Sequence, residues 1–407
     1  MNEKTPKNPS RNRIAARTDA VSASKTVEIS NLAGRLAREG KNVISLSVGE
    51  PDFAAPSPVR EAVKNAADEG KTKYTDSAGI PALREKLSDK LQADNDVDYG
   101  PDQIVVTSGA KHAVYLALQT VLDPEDRVLI PAPYWVSYPE MVNALGATPV
   151  PVETDLEDGF KLSPEQIREH GSSASVIILN SPSNPTGTVY TADEIEALTE
   201  EALRQDLLIL SDEIYEEFIY GDVDALSPAS LGPEAYENTI TINGFSKAYA
   251  MTGLRVGYVA GPDDLMTAIG KLQTHTTTHA SSVAQWGALA ALNIPDEELE
   301  KNRRTFEGRR DAIVDGLEKN EQIRVPEPGG AFYIFPDVSG YYDGHFDASD
   351  GEASVKFCRQ LLEETGLAVV PGTAFGADSC VRISYAASME TLTDGISRLS
   401  SFLGDLD

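Results

Sequence analysis

The sequence predicts an α/β protein: a largely parallel sheet covered by helices on both faces, accompanied by a second, smaller α/β domain. Three observations carry this. From about Asp102 onward, short apolar runs rich in Val and Ile alternate with stretches of helical periodicity, the pattern of a parallel sheet buried on both faces. Beyond Asp296 the rhythm changes to a long charged helical stretch and then a sparser mixture of strand and helix. The 407 residues, 41% of them hydrophobic, suffice for two or three domains with a sizeable core.

In chain order, residues 1–15 are polar and are expected to fray or to lie as an arm on a partner. Residues 16–55 are assigned to the smaller domain, 56–297 to the large one and 298–407 again to the smaller. Within the large domain, strands are expected at 104–106, 127–130, 176–179, 207–210, 239–242 and 255–259, with helices at 113–121 and 192–203. The second of these helices opens on Thr191 with Glu194 three residues later, a capping box. Residues 296–319 read as a helix joining two bodies, followed by strands at 332–335 and 380–384 flanking a helix at 354–365. No internal repeat is visible.

The charge balance narrows the partners. Against 35 Lys and Arg stand 64 Asp and Glu, a net charge of −29, which repels phosphate backbones and anionic lipid. Neither nucleic acid nor a membrane surface is expected to bind. Such acidity must lie on the surface, and it reads as an adaptation to concentrated salt, where carboxylates hold hydration and screening cancels their repulsion. Cys358 and Cys380 read as reduced core residues. No stretch approaches the roughly 18 apolar residues of a membrane span and no apolar leader opens the chain, so a soluble cytoplasmic protein is expected.

In an open parallel sheet, ligands bind beyond the carboxyl ends of the strands. After residues 104–106 come Thr107-Ser108-Gly109-Ala110-Lys111, small residues opening a helix whose free N–H groups suit a phosphate. After 127–130 come Pro133-Tyr134-Trp135, and after 176–179 a turn-rich segment containing Asn184. Asp212 follows 207–210, where a buried carboxylate needs a cationic partner. The fifth end is the most telling: Ser246-Lys247 follows 239–242, and Arg255 lies eight residues on. A desolvated lysine amine is what Schiff-base chemistry requires, and an arginine near it suits the phosphate of the same ligand.

Residues 244–257 resemble the pyridoxal-phosphate attachment signature of class I aminotransferases. The segments NSPSNPTG, SDEIYE, PYWVSYPE and GEPDF fall in that family's order and spacing, and the resemblance covers the chain from about Lys25 onward. KTKYTDSAGIPALRE, PYWVSYPEMV and AMTGLRVGY are similar to its bacterial and archaeal aspartate/prephenate branch. The resemblance implies a fold type I transferase, whose large domain is an α/β/α sandwich around a mostly parallel seven-stranded sheet. It also implies pyridoxal 5′-phosphate as cofactor and a homodimer with shared active sites.

By the same resemblance, Lys247 would carry the cofactor as a Schiff base and move the substrate proton, and Asp212 would keep the pyridine nitrogen protonated. Tyr215 and Asn184 would bond the phenolic oxygen, and Trp135 would stack on the ring. Gly109, Ala110, Ser246 and Arg255 would hold the phosphate, joined by Tyr74 from the neighbouring subunit. Arg382 would clamp the α-carboxylate, with Asn184 and Trp135 beside it and a backbone contact from Gly49. The substrates would be small molecules, an L-amino acid such as aspartate or glutamate and a 2-oxo acid such as 2-oxoglutarate or oxaloacetate, in a ping-pong cycle.

Two departures stand out. Gly244 occupies a position where many relatives carry a phosphate-binding serine. No counterpart exists for the trans-subunit arginine of the animal enzymes, so Lys111, assisted by Ser24 or Thr26, is the expected partner of the distal carboxylate. His275 and His279, four residues apart, suit one helix face but lack a third ligand, so no metal is expected. Rival readings are an aminotransferase preferring aromatic, prephenate or alanine substrates, and a pyridoxal-phosphate C–S β-lyase. A cofactor-sensing regulator fused to a DNA-binding module is disfavoured by the charge. A hydride-transfer enzyme is disfavoured because no G-x-G-x-x-G follows a strand.

Overall fold

A computed structural model describes residues 14–22, 25–223 and 225–406. Ser24 and most of the expected arm, residues 1–13, lie outside them. The strands are β1 (Ile44–Ser45), β2 (Ile104–Thr107), β3 (Arg127–Ala132), β4 (Thr148–Glu153), β5 (Val176–Asn180) and β6 (Leu208–Asp212). They continue with β7 (Thr239–Gly244), β8 (Gly257–Ala260), β9 (Tyr333–Ile334), β10 (Leu367–Ala368), β11 (Val370–Pro371) and β12 (Val381–Ser384).

Seven strands form one sheet in the order β2-β8-β7-β6-β5-β3-β4, in which only β8 runs antiparallel to its neighbours. Side chains alternate between two buried faces. Val128, Ile130, Val176 and Ile178 pack with residues of the helices Ala110–Val121 and Asp263–Thr276. Leu129, Ile177 and Leu179 pack with the helices Pro164–His170 and Ala192–Arg204. Burial on both faces is why these strands read as unbroken apolar runs rather than as an alternation.

The expected strands are all present, with shifted ends. Residues 255–259 form a strand only from Gly257, because Arg255 sits in the left-handed region at φ 56°. The helix expected at 113–121 begins at Ala110, and the long one expected at 296–319 ends at Leu317. At the start of Ala192–Arg204, Thr191 Oγ1 accepts from Glu194 N and Thr191 N donates to Glu194 Oε2 at 2.8 Å, completing the capping box. Within the large sheet, which excludes β1, β10 and β11, strand β4 is the one the apolar runs concealed. Its sequence, TPVPVE, carries two prolines, which an edge strand tolerates because half of its N–H groups have no ladder partner.

The remaining strands make two small sheets, β1-β10 (parallel) and β11-β12-β9 (antiparallel). Ile29, Ala33, Leu36 and Leu46, from near the start of the chain, share one apolar cluster with Ile313, Phe357, Leu361, Leu399 and Phe402. The helix Asp296–Leu317 contributes Phe306 to this cluster and runs up to it from the side of the large sheet. Cys358 and Cys380 are buried and unpaired. Among the described residues, no helix is long and apolar enough to cross a membrane.

Candidate active site

The loops at the carboxyl ends of β3, β5, β6 and β7 open onto one cleft of about 870 Å³, whose other wall comes from the segment after β1 and from β12. Ala110, Lys111, Trp135, Asn184, Asp212, Tyr215, Ser246, Lys247 and Arg255 meet there with Gly49 and Arg382. Residues far apart in the chain are thus brought together at the sheet edge where ligands of open α/β folds bind.

Lys247 follows β7, and its Nζ donates to the Gly49 carbonyl at 2.6 Å. Burial pushes its pKa down to about 8, assisted by Arg382 and Arg255 and opposed by Glu50 and Asp212. The amine therefore lies close to the neutral, nucleophilic form near pH 8. Asp212 ends β6 and is buried; its Oδ2 accepts from the Tyr138 hydroxyl at 2.7 Å and its Oδ1 from Ile214 N at 3.3 Å. Burial pushes its carboxyl up to about 6, while those two hydrogen bonds and Lys247 pull the other way. A carboxylate so placed is stabilised by a cation that arrives with a ligand.

Arg382, at 6% exposure, donates through Nη1 to Asn184 Oδ1 at 2.9 Å and through Nη2 to the Ser47 carbonyl at 2.7 Å. Its guanidinium lies over the rings of Tyr333 and Phe375, 4.5 and 5.0 Å from their centroids, and Nε has no partner. Neutral acceptors hold it in place but, among the described residues, no carboxylate neutralises it, which leaves a buried positive charge ready for an anion. Tyr215 shares a 2.8 Å hydrogen bond with the Tyr333 hydroxyl, and burial raises its phenol well above the ordinary value.

Glycine shapes the phosphate side. A Cβ on Gly109 would stand 2.6 Å from Arg255 Nη2, and one on Gly257 would stand 2.4 Å from Ala110 N. Both absences let the N-terminus of the helix Ala110–Val121 come close to the guanidinium, forming a cradle of N–H groups and positive charge. Gly244 has a structural explanation. It pairs with Gly257 across β7 and β8, and a Cβ there would meet the Gly257 Cα at 2.8 Å, so a serine would push the strands apart.

Lys111 Nζ lies 4.8 Å from the centre of the Trp135 ring, and burial lowers its pKa, followed by Arg255. Thr26 also lines the cleft. Tyr74 does not enter it: it is 88% exposed and stacks edge-on against His279 at 5.7 Å. His275 lies in the helix Asp263–Thr276 and His279 beyond its end, so the two do not share a helix face. Tyr138 and Tyr333, which the sequence reading passed over, are the site's unexpected members. Tyr138 carried a signal, lying one turn beyond Trp135 where a helix begins at Ser137, whereas Tyr333 arrives from β9 and only the fold brings it near Tyr215.

A phosphate cradle, a buried carboxylate awaiting a cation and a lysine amine of lowered pKa are the donor set that the expected cofactor needs, and all three line one cleft. Comparison with known proteins agrees. Residues 41–399 match the profile of the family described as aminotransferase class I and II. The chain is 45% identical over 392 residues to an aspartate/prephenate aminotransferase of Cereibacter sphaeroides, covering 95% of this chain and 97% of the relative. It is 43% identical over 394 residues to an aspartate aminotransferase of Bacillus subtilis, covering 96% and 99%. Among solved structures, the aspartate aminotransferase of Thermus thermophilus with maleate superposes with a TM-score of 0.89 at 39% identity, covering 96% of this chain and 100% of that one. The enzyme of Rhizobium meliloti superposes with a TM-score of 0.91 at 37% identity, covering 97% and 99%.

Proposed function

We propose that this chain, which belongs to the class I and II aminotransferase family, is a pyridoxal-phosphate-dependent aspartate aminotransferase working with 2-oxoglutarate or oxaloacetate in a ping-pong cycle. The observation that carries the substrate class is the charge of the cleft. Lys25, Lys111, Lys247, Arg255 and Arg382 line it against Glu50, Glu140 and Asp212, a local positive excess inside a chain of net charge −29. Such a cleft draws in dianions, a phosphate on one side and a dicarboxylate on the other. The Thermus relative, whose structure was solved with the dicarboxylate maleate, supports the same reading.

Pyridoxal phosphate supplies an aldehyde that condenses with amines and a protonated ring that accepts the electron pair released at the substrate Cα. The chain's residues do the rest. Lys247 Nζ anchors the cofactor and is the base that moves the proton at Cα. Asp212, oriented by Tyr138, holds the proton on the ring nitrogen. Tyr215 and Asn184 bond the phenolic oxygen, and Trp135 covers the ring. Gly109, Ala110, Ser246 and Arg255 hold the phosphate. Arg382 grips the α-carboxylate with its unpartnered Nε edge, next to Asn184, Trp135 and the Gly49 backbone. Lys111 meets the distal carboxylate; among the described residues it has no carboxylate partner of its own, and Thr26 stands in the same cleft.

The active unit is a homodimer in this reading, because Tyr74 lies outside its own cleft and is exposed enough to reach a partner's. The boundaries at about residues 56 and 298 divide each subunit into large and small domains, and unpaired buried cysteines accord with the cytoplasm. The test is a panel of amino donors against both 2-oxo acids, on the wild type and on Lys111→Ala. Aspartate should lead the wild-type panel. The variant should lose about 10- to 100-fold in kcat/KM for aspartate while alanine and phenylalanine change by less than about threefold. An equal loss on all donors assigns Lys111 to the cofactor or the fold, and release of ammonia without a 2-oxo acid would mark a lyase.

A further inference from the structure

The segment after β1 does more than offer a glycine to the substrate. Four of its groups fasten to four different places. The Ser47 carbonyl accepts from Arg382 at 2.7 Å and the Gly49 carbonyl from Lys247 at 2.6 Å. Glu50 Oε1 accepts from Thr252 Oγ1 at 2.6 Å, and Asp52 takes both Nη groups of Arg309 at 2.8 Å. Thr252 lies on the loop between Lys247 and Arg255, and its carbonyl accepts from Arg255 Nη1 at 2.8 Å. A continuous series of contacts results, from Lys247 through Gly49, Glu50 and Thr252 to Arg255.

The Lys247 amine is faced by Arg382 and Arg255, by the carboxylates Glu50 and Asp212, and by the rings of Tyr215 and Phe332 at 5.5 and 5.7 Å. Of the two carboxylates, Glu50 acts on the amine more strongly than Asp212. Asp212 is committed to the ring side of the cleft, whereas Glu50 approaches from the segment that supplies the amine's acceptor.

We propose that Glu50 is a positioning residue for the transamination: latched to Thr252, it fixes the Gly49 carbonyl as the acceptor of Lys247 Nζ whenever the amine is free and keeps a negative charge beside it. An amine that acts as a base must return to one place each time it is released, and a carbonyl on an unfastened loop would not define that place. Asp52 and Arg309 pin the far end of the segment, and the Glu50 latch pins the end nearest the amine.

The inference rests on Lys247 as the cofactor's anchor, which Lys247→Ala tests separately: the bound cofactor's visible absorption and turnover should both vanish, and their survival refutes the anchor rather than the latch. In the holoenzyme, Glu50→Ala and Thr252→Val should each lower kcat about tenfold with KM for the donor within about twofold. The double variant should lose no more than either alone, and Thr252→Ser should restore the rate. Glu50→Gln keeps an acceptor for Thr252 and should stay within about threefold of the wild-type kcat. Because it loses the charge, the pH midpoint of the cofactor's visible absorption should fall by about half a unit. Losses that multiply in the double variant, or a Glu50→Gln midpoint equal to that of the wild type, would overturn the proposal.

Discussion

At the scale of single residues, the pair Tyr138–Asp212 shows how one hydroxyl sets the charge of a buried group. Burial drives the Asp212 carboxyl up, and the 2.7 Å bond from Tyr138, the foremost of three opposing influences with Ile214 N and Lys247, helps restrain the rise to about 6. Removing the hydroxyl leaves burial less opposed, so the carboxyl titrates at higher pH. A ligand that brings a protonated nitrogen needs the anionic form, so Tyr138→Phe should weaken cofactor binding several-fold at pH 6.5 and much less at pH 8. Equilibrium titration of the cofactor-free protein at the two pH values measures this; equal weakening at both would mean that Tyr138 only packs. Asp212 and Lys247 are legible in the sequence because each follows a predicted strand, and Arg382 through the family resemblance; all three line the cleft. The sequence did not disclose Tyr333 or the Glu50–Thr252 contact, since these depend on how two distant parts of the chain fit together.

At the scale of elements, local signals were legible where they were chemically redundant. The capping box of the helix Ala192–Arg204 is written in two residues, and both of its bonds form. Thr191→Ala should therefore lower stability by about 1 kcal/mol, read by denaturant titration, with cofactor absorption unchanged because the helix lies away from the cleft. Several helices left no comparable mark in the sequence reading, among them Ser57–Asp68 and Pro81–Asn95, which open on an N-terminal proline without a side-chain cap. Strand β4 hid behind its prolines, and the expected start of β8 falls two residues early because a left-handed Arg255 cannot be read from residue types. Gly244 is the reverse case: its departure from the family pattern was visible, and the reason, a facing Gly257, required the strand register.

At the scale of the molecule, the net charge of −29 sits on a body whose cleft carries the opposite sign. Among the described residues, several ion pairs lie on the surface, as in Arg204 with Glu200 and Lys356 with Asp350. Such pairs contribute little individually and leave a large excess of carboxylate unneutralised. If the acidity serves concentrated salt, dilution from molar salt to about 0.1 M should lower the melting temperature or unfold the protein outright, because self-repulsion grows as screening fades. A melting temperature independent of salt would reduce the acidity to an ordinary property of composition.

The union of Ile29, Ala33, Leu36 and Leu46 with side chains from Ile313 to Phe402 in one apolar cluster has a consequence for synthesis on the ribosome. The helix Lys25–Arg38 is translated early, yet the elements it packs against, Ala353–Thr365, β10 and β11, are made more than 300 residues later. At cellular elongation rates that interval is on the order of tens of seconds. During it, the large sheet is free to assemble while an amphipathic helix waits with its apolar face uncovered, a natural client for a holding chaperone.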